Sequence, residues 1–163
     1  MAERKVYLDL TEFFQNPLRT GVQRVCLEIV SNWIPDLELI PLRLISPTKV
    51  ALFDKTFFDV MADFFAGPNQ GATYIRNSIS SGRFMTRVFG VERCIDKSAV
   101  ILCPELFYDM ERIRFYERLL DVWPEKVFFI VHDFLPVLKP ELFDPCSSLF
   151  TTPYFRLLTR IKT

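Results

Sequence analysis

Short apolar segments alternate with stretches of helical periodicity along this chain, and no other feature limits its fold as strongly. Lys5–Leu10 has the length and the β-rich composition of a strand. A helical pattern begins near Gly21, and Leu37–Ile45 again alternates as a strand does. A strand, a helix and a second strand in this order predict a βαβ unit with a parallel sheet and a right-handed crossover.

The first helix has recognisable start and stop signals. Thr20 is predicted to cap its amino end, and Pro35 is predicted to end it because proline lacks a backbone N–H. The preceding segment Thr11–Leu18 is predicted to be a loop, and Pro41 indicates that the next strand lies at a sheet edge. The residues predicted to form the apolar face of the helix are Val22, Val25, Cys26, Ile29, Val30 and Trp33.

The alternation continues through the rest of the chain. Asp54 is predicted to cap a second helix, which Gly67 ends. Ala99–Cys103 and Lys126–Val131 are predicted to be buried strands, with a helix over Met110–Val122 between them. The apolar side of the second helix is predicted to be Phe57, Phe58, Met61, Phe64 and Phe65.

These elements predict a doubly wound, Rossmann-like α/β domain with a parallel sheet. Pro153 is predicted to open a last helix, whereas Gly71–Lys97 shows no readable pattern. All 163 residues fit one domain. Ligands of such folds lie beyond the carboxyl ends of the strands, where Thr11–Arg24 and His132–Glu141 are predicted to meet. The apolar side of the last helix is predicted to be Tyr154, Leu157, Leu158 and Ile161.

Composition argues against several classes of function. Twenty basic and 20 acidic residues give a net charge of zero, which disfavours nucleic-acid binding. One histidine and the absence of a C-x-x-C pair disfavour a metal site, so neither a metal nor a cofactor is expected. No apolar signal segment follows the charged amino end, and the four cysteines form no disulfide framework. A cytoplasmic protein with reduced thiols is therefore expected.

The segment from Asn16 to Arg24 is the first candidate site. It leads into a helix, and the N–H groups at a helix amino end attract anions. Gly21 would allow an anion to approach the backbone, and Arg19 and Arg24 could add charge-assisted bonds to phosphate. The alternative is a capped helix with two solvated arginines. No G-x-G-x-x-G or Walker loop is present, so a standard dinucleotide or P-loop site is not predicted.

The pair His132-Asp133 is the second candidate site. It follows a predicted strand at the edge where such folds bind ligands. The imidazole could donate to a phosphate or a sugar hydroxyl, or act as a base near neutral pH. Asp133 could orient the imidazole or cap the following turn. The alternative is a structural histidine whose ring nitrogens are hydrogen-bonded within the protein. Position alone does not distinguish a functional from a structural role.

Two motifs resemble a known family. Val6–Glu12 followed by Arg19–Val25 (R-T-G-V-Q-R-V) resembles the amino end of a bacterial group of family-4 glycosyltransferases. Val127–Val137, with H-D-F-L-P, and the following P-E-L-F at Pro140–Phe143 are similar to the same group. Both motifs occur in the family's order, whereas residues from about 46 to 98 match nothing recognisable.

The resemblance implies a retaining enzyme of the GT-B fold that moves a sugar from a nucleotide donor to a glycan or lipid-linked acceptor. Residues 1–163 would then be the acceptor-side domain, and the C-terminal donor-binding domain with the family's E-x7-E pair is expected outside this sequence. It implies catalytic roles for His132 and Asp133. The residues implied in binding the donor diphosphate or the acceptor are Gly21, Thr20, Arg19, Gln23 and Arg24.

Two other functions remain open. One is a non-catalytic α/β binding or interaction module, which predicts a closed polar surface. The other is a small nucleotide-binding enzyme of flavodoxin-like shape, which the lack of a second phosphate loop disfavours. Peripheral contact with the inner membrane face is a further alternative for Phe57, Phe58, Phe64 and Phe65. Core packing is favoured for them, since burial stabilises each by about 1.5–3 kcal/mol.

Overall fold

The computed structural model describes residues 4–32, 37–67, 72–82, 84–91, 99–132, 134–143 and 145–161. It has the alternating α/β architecture that the sequence predicts. The strands are β1 (Arg4–Asp9), β2 (Leu37–Ser46), β3 (Lys49–Phe53), β4 (Met85–Gly90), β5 (Val100–Cys103) and β6 (Val127–Phe129). The helices are α1 (Thr11–Gln15), α2 (Gly21–Asn32), α3 (Phe57–Ala66), α4 (Ala72–Ser80), α5 (Met110–Val122), α6 (Leu135–Leu138) and α7 (Pro145–Leu158). Two 3-10 turns, Pro124–Lys126 and Pro140–Leu142, complete the described elements.

The strands form one mixed sheet in the order β4-β3-β2-β1-β5-β6. Strands β2, β1, β5 and β6 run parallel, as expected, with Leu8 of β1 level with Leu102 of β5. Strands β3 and β4 are antiparallel to their neighbours, so the prediction of a wholly parallel sheet is wrong. Only Pro47 and Thr48 separate β2 from β3, and so short a connection can join only antiparallel strands.

Two predictions of strand position are also wrong. Pro41 lies in an interior strand, between β1 and β3, and not at an edge. The β2–β3 pairing begins one residue later, at Leu42 opposite Leu52, so the missing N–H of Pro41 lies beyond the end of that ladder. Strand β6, predicted to be buried, pairs only with β5 in the described part of the sheet, and Phe128 is 51% exposed.

Helices α2 and α3 lie where the sequence predicts them, but the cap residue of α3 is Thr56 and not the predicted Asp54. Helix α2 begins at Gly21, and the Thr20 hydroxyl accepts a hydrogen bond from the Gln23 N–H at 3.3 Å. Val25 is exposed, although it was predicted on the apolar face, while Trp33 and Pro35 lie outside the described residues. Helix α1 also differs from the prediction, since it forms one turn where a loop was predicted. Five residues are too few to show periodicity.

The second half contains one confirmed helix and several unforeseen elements. Helix α5 spans Met110–Val122, as predicted. Helix α7 begins at Pro145, so Pro153 lies inside it and does not open it. Helix α3 ends before Gly67, as predicted, whereas β3, α4 and β4 were not predicted.

The sheet separates two apolar cores. On one face, α5 and α7 pack through side chains that include Tyr116, Leu119 and Tyr154. On the other face, α1 to α4 bury an aromatic cluster in which Phe13, Phe14, Phe53, Phe57 and Phe64 are in ring contact. Phe57 and Phe64 are buried there, and Phe58 and Phe65 are half-buried against the same core. Core packing, the favoured prediction for these phenylalanines, is therefore confirmed.

The aromatic cluster gives a direct test of the packing. Phe57→Ala should lower the free energy of unfolding by about 3–5 kcal/mol, since it removes a fully buried ring and leaves a cavity. Phe128→Ala is the matched control on the exposed face of β6 and should change stability by less than about 1 kcal/mol. Urea unfolding of both variants measures the difference; equal losses would contradict the packing.

Candidate functional site

A buried ionic cluster lies at the carboxyl ends of β1 and β5. Asp9 is the last residue of β1, Glu105 follows β5, and Arg112 reaches both from α5. The guanidinium contacts the Asp9 carboxylate at 2.9 Å and the Glu105 carboxylate at 2.8 Å. All three residues are fully buried. The cluster therefore joins two strands and a helix at the edge where ligands of this architecture are expected.

The Asp9 carboxylate also organises the chain that follows it. One oxygen accepts from the Thr11 N–H at 3.0 Å and from the Thr11 hydroxyl. The Thr11 hydroxyl in turn accepts from the Leu44 N–H of β2 at 2.8 Å. The other Asp9 oxygen accepts from Arg112 and from the Tyr116 hydroxyl. A single side chain thus connects β1, the start of α1, β2 and α5.

Glu105 acts as an amino-terminal cap for α1, although it lies more than 90 positions away in sequence. Its carboxylate accepts from the N–H groups of Glu12, at 2.8 Å, and Phe13, at 2.9 Å. These are among the donors that a helix leaves without partners at its amino end. This cap explains why a one-turn helix replaces the predicted loop: its stabilising partner comes from another strand.

Contacts at the amino end of α5 position Arg112 in the cluster. Asp109 caps the helix by accepting from the Arg112 N–H at 2.7 Å. The guanidinium lies over the Phe107 ring, with Cζ 4.4 Å from the ring centroid. Its Nη1 has no hydrogen-bond partner among the described residues, and cation–π attraction to the ring offsets part of that loss.

The charges in this cluster do not cancel. Two carboxylates face one guanidinium, so complete ionisation leaves a buried net charge of −1. Burial raises the pKa of Glu105 to about 7, while Arg112 and the two backbone N–H donors act in the opposite direction. Burial also raises the pKa of Tyr116 well above its ordinary value, which keeps it a donor to Asp9. One carboxyl of the cluster therefore titrates near neutral pH.

The helix amino end at Gly21 is open to solvent. Gly21 is exposed, and no atom lies within 4 Å of the position where a Cβ would stand. Within the described part of the chain, the N–H groups of Gly21 and Val22 have no hydrogen-bond acceptor. With 12 residues, α2 is long enough for its dipole to favour an anion at this end.

The other residues implied by the first motif hold this loop in place. Gln23 is buried; its amide accepts from the Leu18 N–H at 2.7 Å and donates to the Asn16 carbonyl at 2.9 Å. The Arg19 guanidinium donates to the carbonyls of Phe64 and Gly67 at the end of α3. Arg24 is exposed in the first turn of α2. Both arginines are exposed, but the Arg19 guanidinium is bound to the carboxyl end of a neighbouring helix.

His132 lies three residues beyond the end of β6 and is half-buried. Its Nε2 contacts the Pro104 carbonyl at 2.5 Å. A carbonyl oxygen can only accept, so the proton must be on Nε2, which leaves Nδ1 as the acceptor of a neutral ring. Asp133, predicted to orient this imidazole, lies outside the described residues.

The structure brings both predicted segments to one edge of the sheet. Parallel strands β1, β5 and β6 are adjacent, so their carboxyl ends are neighbours. The dipeptide Pro104-Glu105 contacts both segments: its carbonyl meets His132, and its carboxylate caps α1. Sequence reasoning missed the Asp9–Glu105–Arg112 cluster. The available signal was Arg112 itself, a charge in line with the apolar positions 116, 119 and 120 of α5.

An apolar surface follows β6 at the same edge. It consists of Val131, Phe134, Leu135, Leu138 and Leu142, of which Leu138 is 68% and Leu142 70% exposed. We call these five residues the α6 apolar surface. A continuous polar surface, which a closed stand-alone module predicts, is not what this edge presents.

A separate cleft opens between α3, α4 and the start of β4, with a volume of about 530 Å³. Its polar lining includes the carboxylates of Asp54, Asp59 and Asp63, and none of the lysines or arginines that the structure describes lines it. Three carboxylates repel a phosphate, so this cleft does not suit an anionic ligand.

The fold and the edge geometry define an α/β protein with a helix-flanked mixed sheet that is compatible with a Rossmann-like fold. Comparison with protein families, curated proteins and solved structures finds no match to this chain. In the described ranges, every helix is too short or too polar to cross a lipid bilayer. The same ranges contain no group of three or more side chains suited to a metal ion, and Cys26 and Cys103 are free, buried thiols.

The ionic cluster predicts unequal effects for two arginines of α5. Arg112→Met should lower the free energy of unfolding by about 3–5 kcal/mol, because it leaves two buried carboxylates without their cation. Arg114→Met, on the exposed side of the same helix, should change it by no more than about 0.5 kcal/mol. Chemical denaturation measures the free energy of unfolding of both variants. An Arg112→Met variant as stable as the wild type would show that the cluster contributes little to stability.

Glu105 predicts a pH dependence of stability with a definite sign. Its folded pKa of about 7 exceeds the ordinary 4.5, so the folded state binds this proton more tightly than the unfolded state. The stability that this tighter proton binding contributes is fully present below pH 4.5 and is lost as the pH rises to about 7. Unfolding free energies of the wild type minus those of Glu105→Gln should therefore fall across that window and stay level above it. A difference that rises with pH would reverse the assignment.

Proposed function

We propose that this chain is the acceptor-side domain of a GT-B glycosyltransferase that transfers a sugar from a nucleotide donor to a glycan or lipid-linked acceptor. The observation that carries the proposal is the open helix amino end at Gly21, at the carboxyl edge of parallel strands. Both family-like motifs fall at this edge.

The Gly21 end suits the diphosphate of a sugar nucleotide. Two backbone N–H groups without acceptors, the helix dipole and the exposed Arg24 all favour negative charge there. The absence of a side chain at Gly21 allows an oxygen to reach the backbone closely. Thr20, Gln23 and Arg19 support this function indirectly, by fixing the loop and the first turn of α2.

His132 suits the reacting end of the donor sugar. Because Nε2–H is held by the Pro104 carbonyl, Nδ1 is the nitrogen that can meet a sugar hydroxyl or a proton released from the acceptor. In this proposal His132 acts on the substrate, and Asp133 assists it. Retention of configuration and the role of Asp133 follow from the family resemblance alone.

The α6 apolar surface supports a two-domain enzyme. A GT-B enzyme closes a second domain over the carboxyl edge of the first, and exposed apolar side chains are the type of surface that such a domain covers. We place the groups that bind the nucleotide base in that second domain. Nucleotide sugars and free thiols both suit the cytoplasm, with the inner membrane face as the place where a lipid-linked acceptor would be met.

Gly21→Ala tests the proposal without disturbing the fold. A Cβ at this position meets no atom, and alanine favours a helix more than glycine does. The variant should bind UDP- or GDP-sugars about tenfold more weakly than the wild type, as about 1.4 kcal/mol of lost close contact implies. Titration followed by amide chemical shifts measures it, and perturbed amides should include those of Gly21 and His132.

Gly90→Ala in β4 is the matched control, since its Cβ meets only the Thr48 carbonyl at 3.9 Å. It should bind as the wild type does. Failure of any sugar nucleotide to perturb the wild-type spectrum at millimolar concentration would remove the donor role and favour the non-catalytic binding module. Equal weakening in both glycine variants would place the ligand elsewhere.

A further inference from the structure

We propose that Glu105 is a positioning residue that couples the segment from Asn16 to Arg24, which contains Gly21, to His132. A change at this one side chain then moves both. The inference concerns the geometry of the sheet edge and does not depend on the transfer reaction proposed above. Glu105 touches neither segment's exposed groups; it acts through α1 and through the adjacent Pro104 carbonyl.

The first half of the coupling is a continuous path of hydrogen bonds from Glu105 to α2. The Glu105 carboxylate holds the N–H of Glu12, and the Glu12 carbonyl accepts from the Asn16 N–H at 2.7 Å. The Asn16 carbonyl accepts from the Gln23 amide at 2.9 Å, and Gln23 lies in the first turn of α2. Gln23 also holds the Leu18 N–H. A displacement of α1 is therefore transmitted to the backbone around Gly21.

The second half is the contact with His132. Pro104 and Glu105 are consecutive and both are buried. The Pro104 carbonyl lies in one rigid peptide plane with the Glu105 N–H, so a movement of the Glu105 backbone also moves this carbonyl. Close packing in protein interiors transmits a shift of one group to its neighbours. The Pro104 carbonyl fixes the proton of His132 on Nε2. A rotation of this dipeptide changes the strength of that bond and, with it, the electronic state of the ring.

Ionisation of Glu105 is the natural perturbation. The carboxylate accepts three hydrogen bonds, from Glu12, Phe13 and Arg112. Oε2 accepts from Glu12 and Arg112, whereas Oε1 accepts only from Phe13 and has a free position for a proton. Protonation removes the negative charge that strengthens all three bonds, so it weakens the hold of Glu105 on α1. Burial brings the pKa of Glu105 to about 7, which places this change near neutral pH. The titratable or charged groups that face it are Asp9 of β1, Arg112 and Tyr116 of α5, Cys103 of β5 and Cys26 of α2.

Nitrogen-15 spectra of the labelled chain test the coupling. Glu105→Gln keeps the size of the side chain, but the new amide NH2 group is itself a hydrogen-bond donor. It would face one of the donors that the carboxylate now accepts from, namely Glu12, Phe13 or Arg112. We expect the amide signals of Glu12, Phe13 and Gly21 to shift, together with the ring nitrogens of His132. Glu125→Gln, an exposed glutamate in the turn before β6, is the matched control and should move none of these four.

Shifts in Glu12 and Phe13 alone, with Gly21 and His132 unchanged from the control, would reduce Glu105 to a cap of α1 and overturn the proposal. Should Glu105→Gln fail to fold, His132→Asn provides the second test, because it removes the imidazole and leaves the Glu105 carboxyl in place. In that variant the amides of Glu12, Phe13 and Gly21 should follow one apparent pKa of about 7. A Gly21 amide signal that does not change with pH, while the Glu12 amide signal does, would equally refute the coupling.

Discussion

The buried contact of Arg112 with Asp9 and Glu105 is the constraint on which the rest of this structure depends. An arginine taken out of water is tolerated only where carboxylates and hydrogen bonds replace its hydration. Here the two carboxylates come from the ends of β1 and β5, so satisfying one charge also fixes two strand ends and the helix that supplies it. The leftover oxygen positions then order Thr11 and the first turn of α1. One electrostatic requirement thus sets the geometry of the entire carboxyl edge.

That edge presents the groups from which the proposed function is built. The polar interior of the cluster is closed to solvent, and the groups that remain accessible are backbone N–H groups at Gly21, the imidazole of His132 and the α6 apolar surface. The cluster therefore acts as a frame, and the chemistry would take place on the loops that it holds.

Elements with local signals could be predicted from the sequence, and elements held by distant partners could not. Helix α5 was predicted over Met110–Val122, and these bounds agree with the structure. Its cap, Asp109, lies next to it in sequence, so the helix needs no distant partner. Helix α1 depends on a carboxylate from another strand, so no local pattern marks it. Strand β3 was missed and the orientation of the sheet beyond β2 was wrong, since the direction of a strand depends on its connection and not on its own composition. For the candidate site, Gly21 and His132 were predicted from motifs, whereas the sequence did not distinguish Asp9 and Glu105 from other charged residues.

The sequence by itself determined the alternation of strands and helices, the apolar faces that form the two cores, and the position of two polar segments after β1 and β6. These follow from periodicity and from turn and cap residues, which act over a few positions. Only the tertiary structure decided that the sheet is mixed, that β6 lies at an edge, and that Asp9, Glu105 and Arg112 meet. The physical reason is that a buried charge is satisfied by whatever group the fold brings near it, and residues 9, 105 and 112 become neighbours only when β1 and β5 pair.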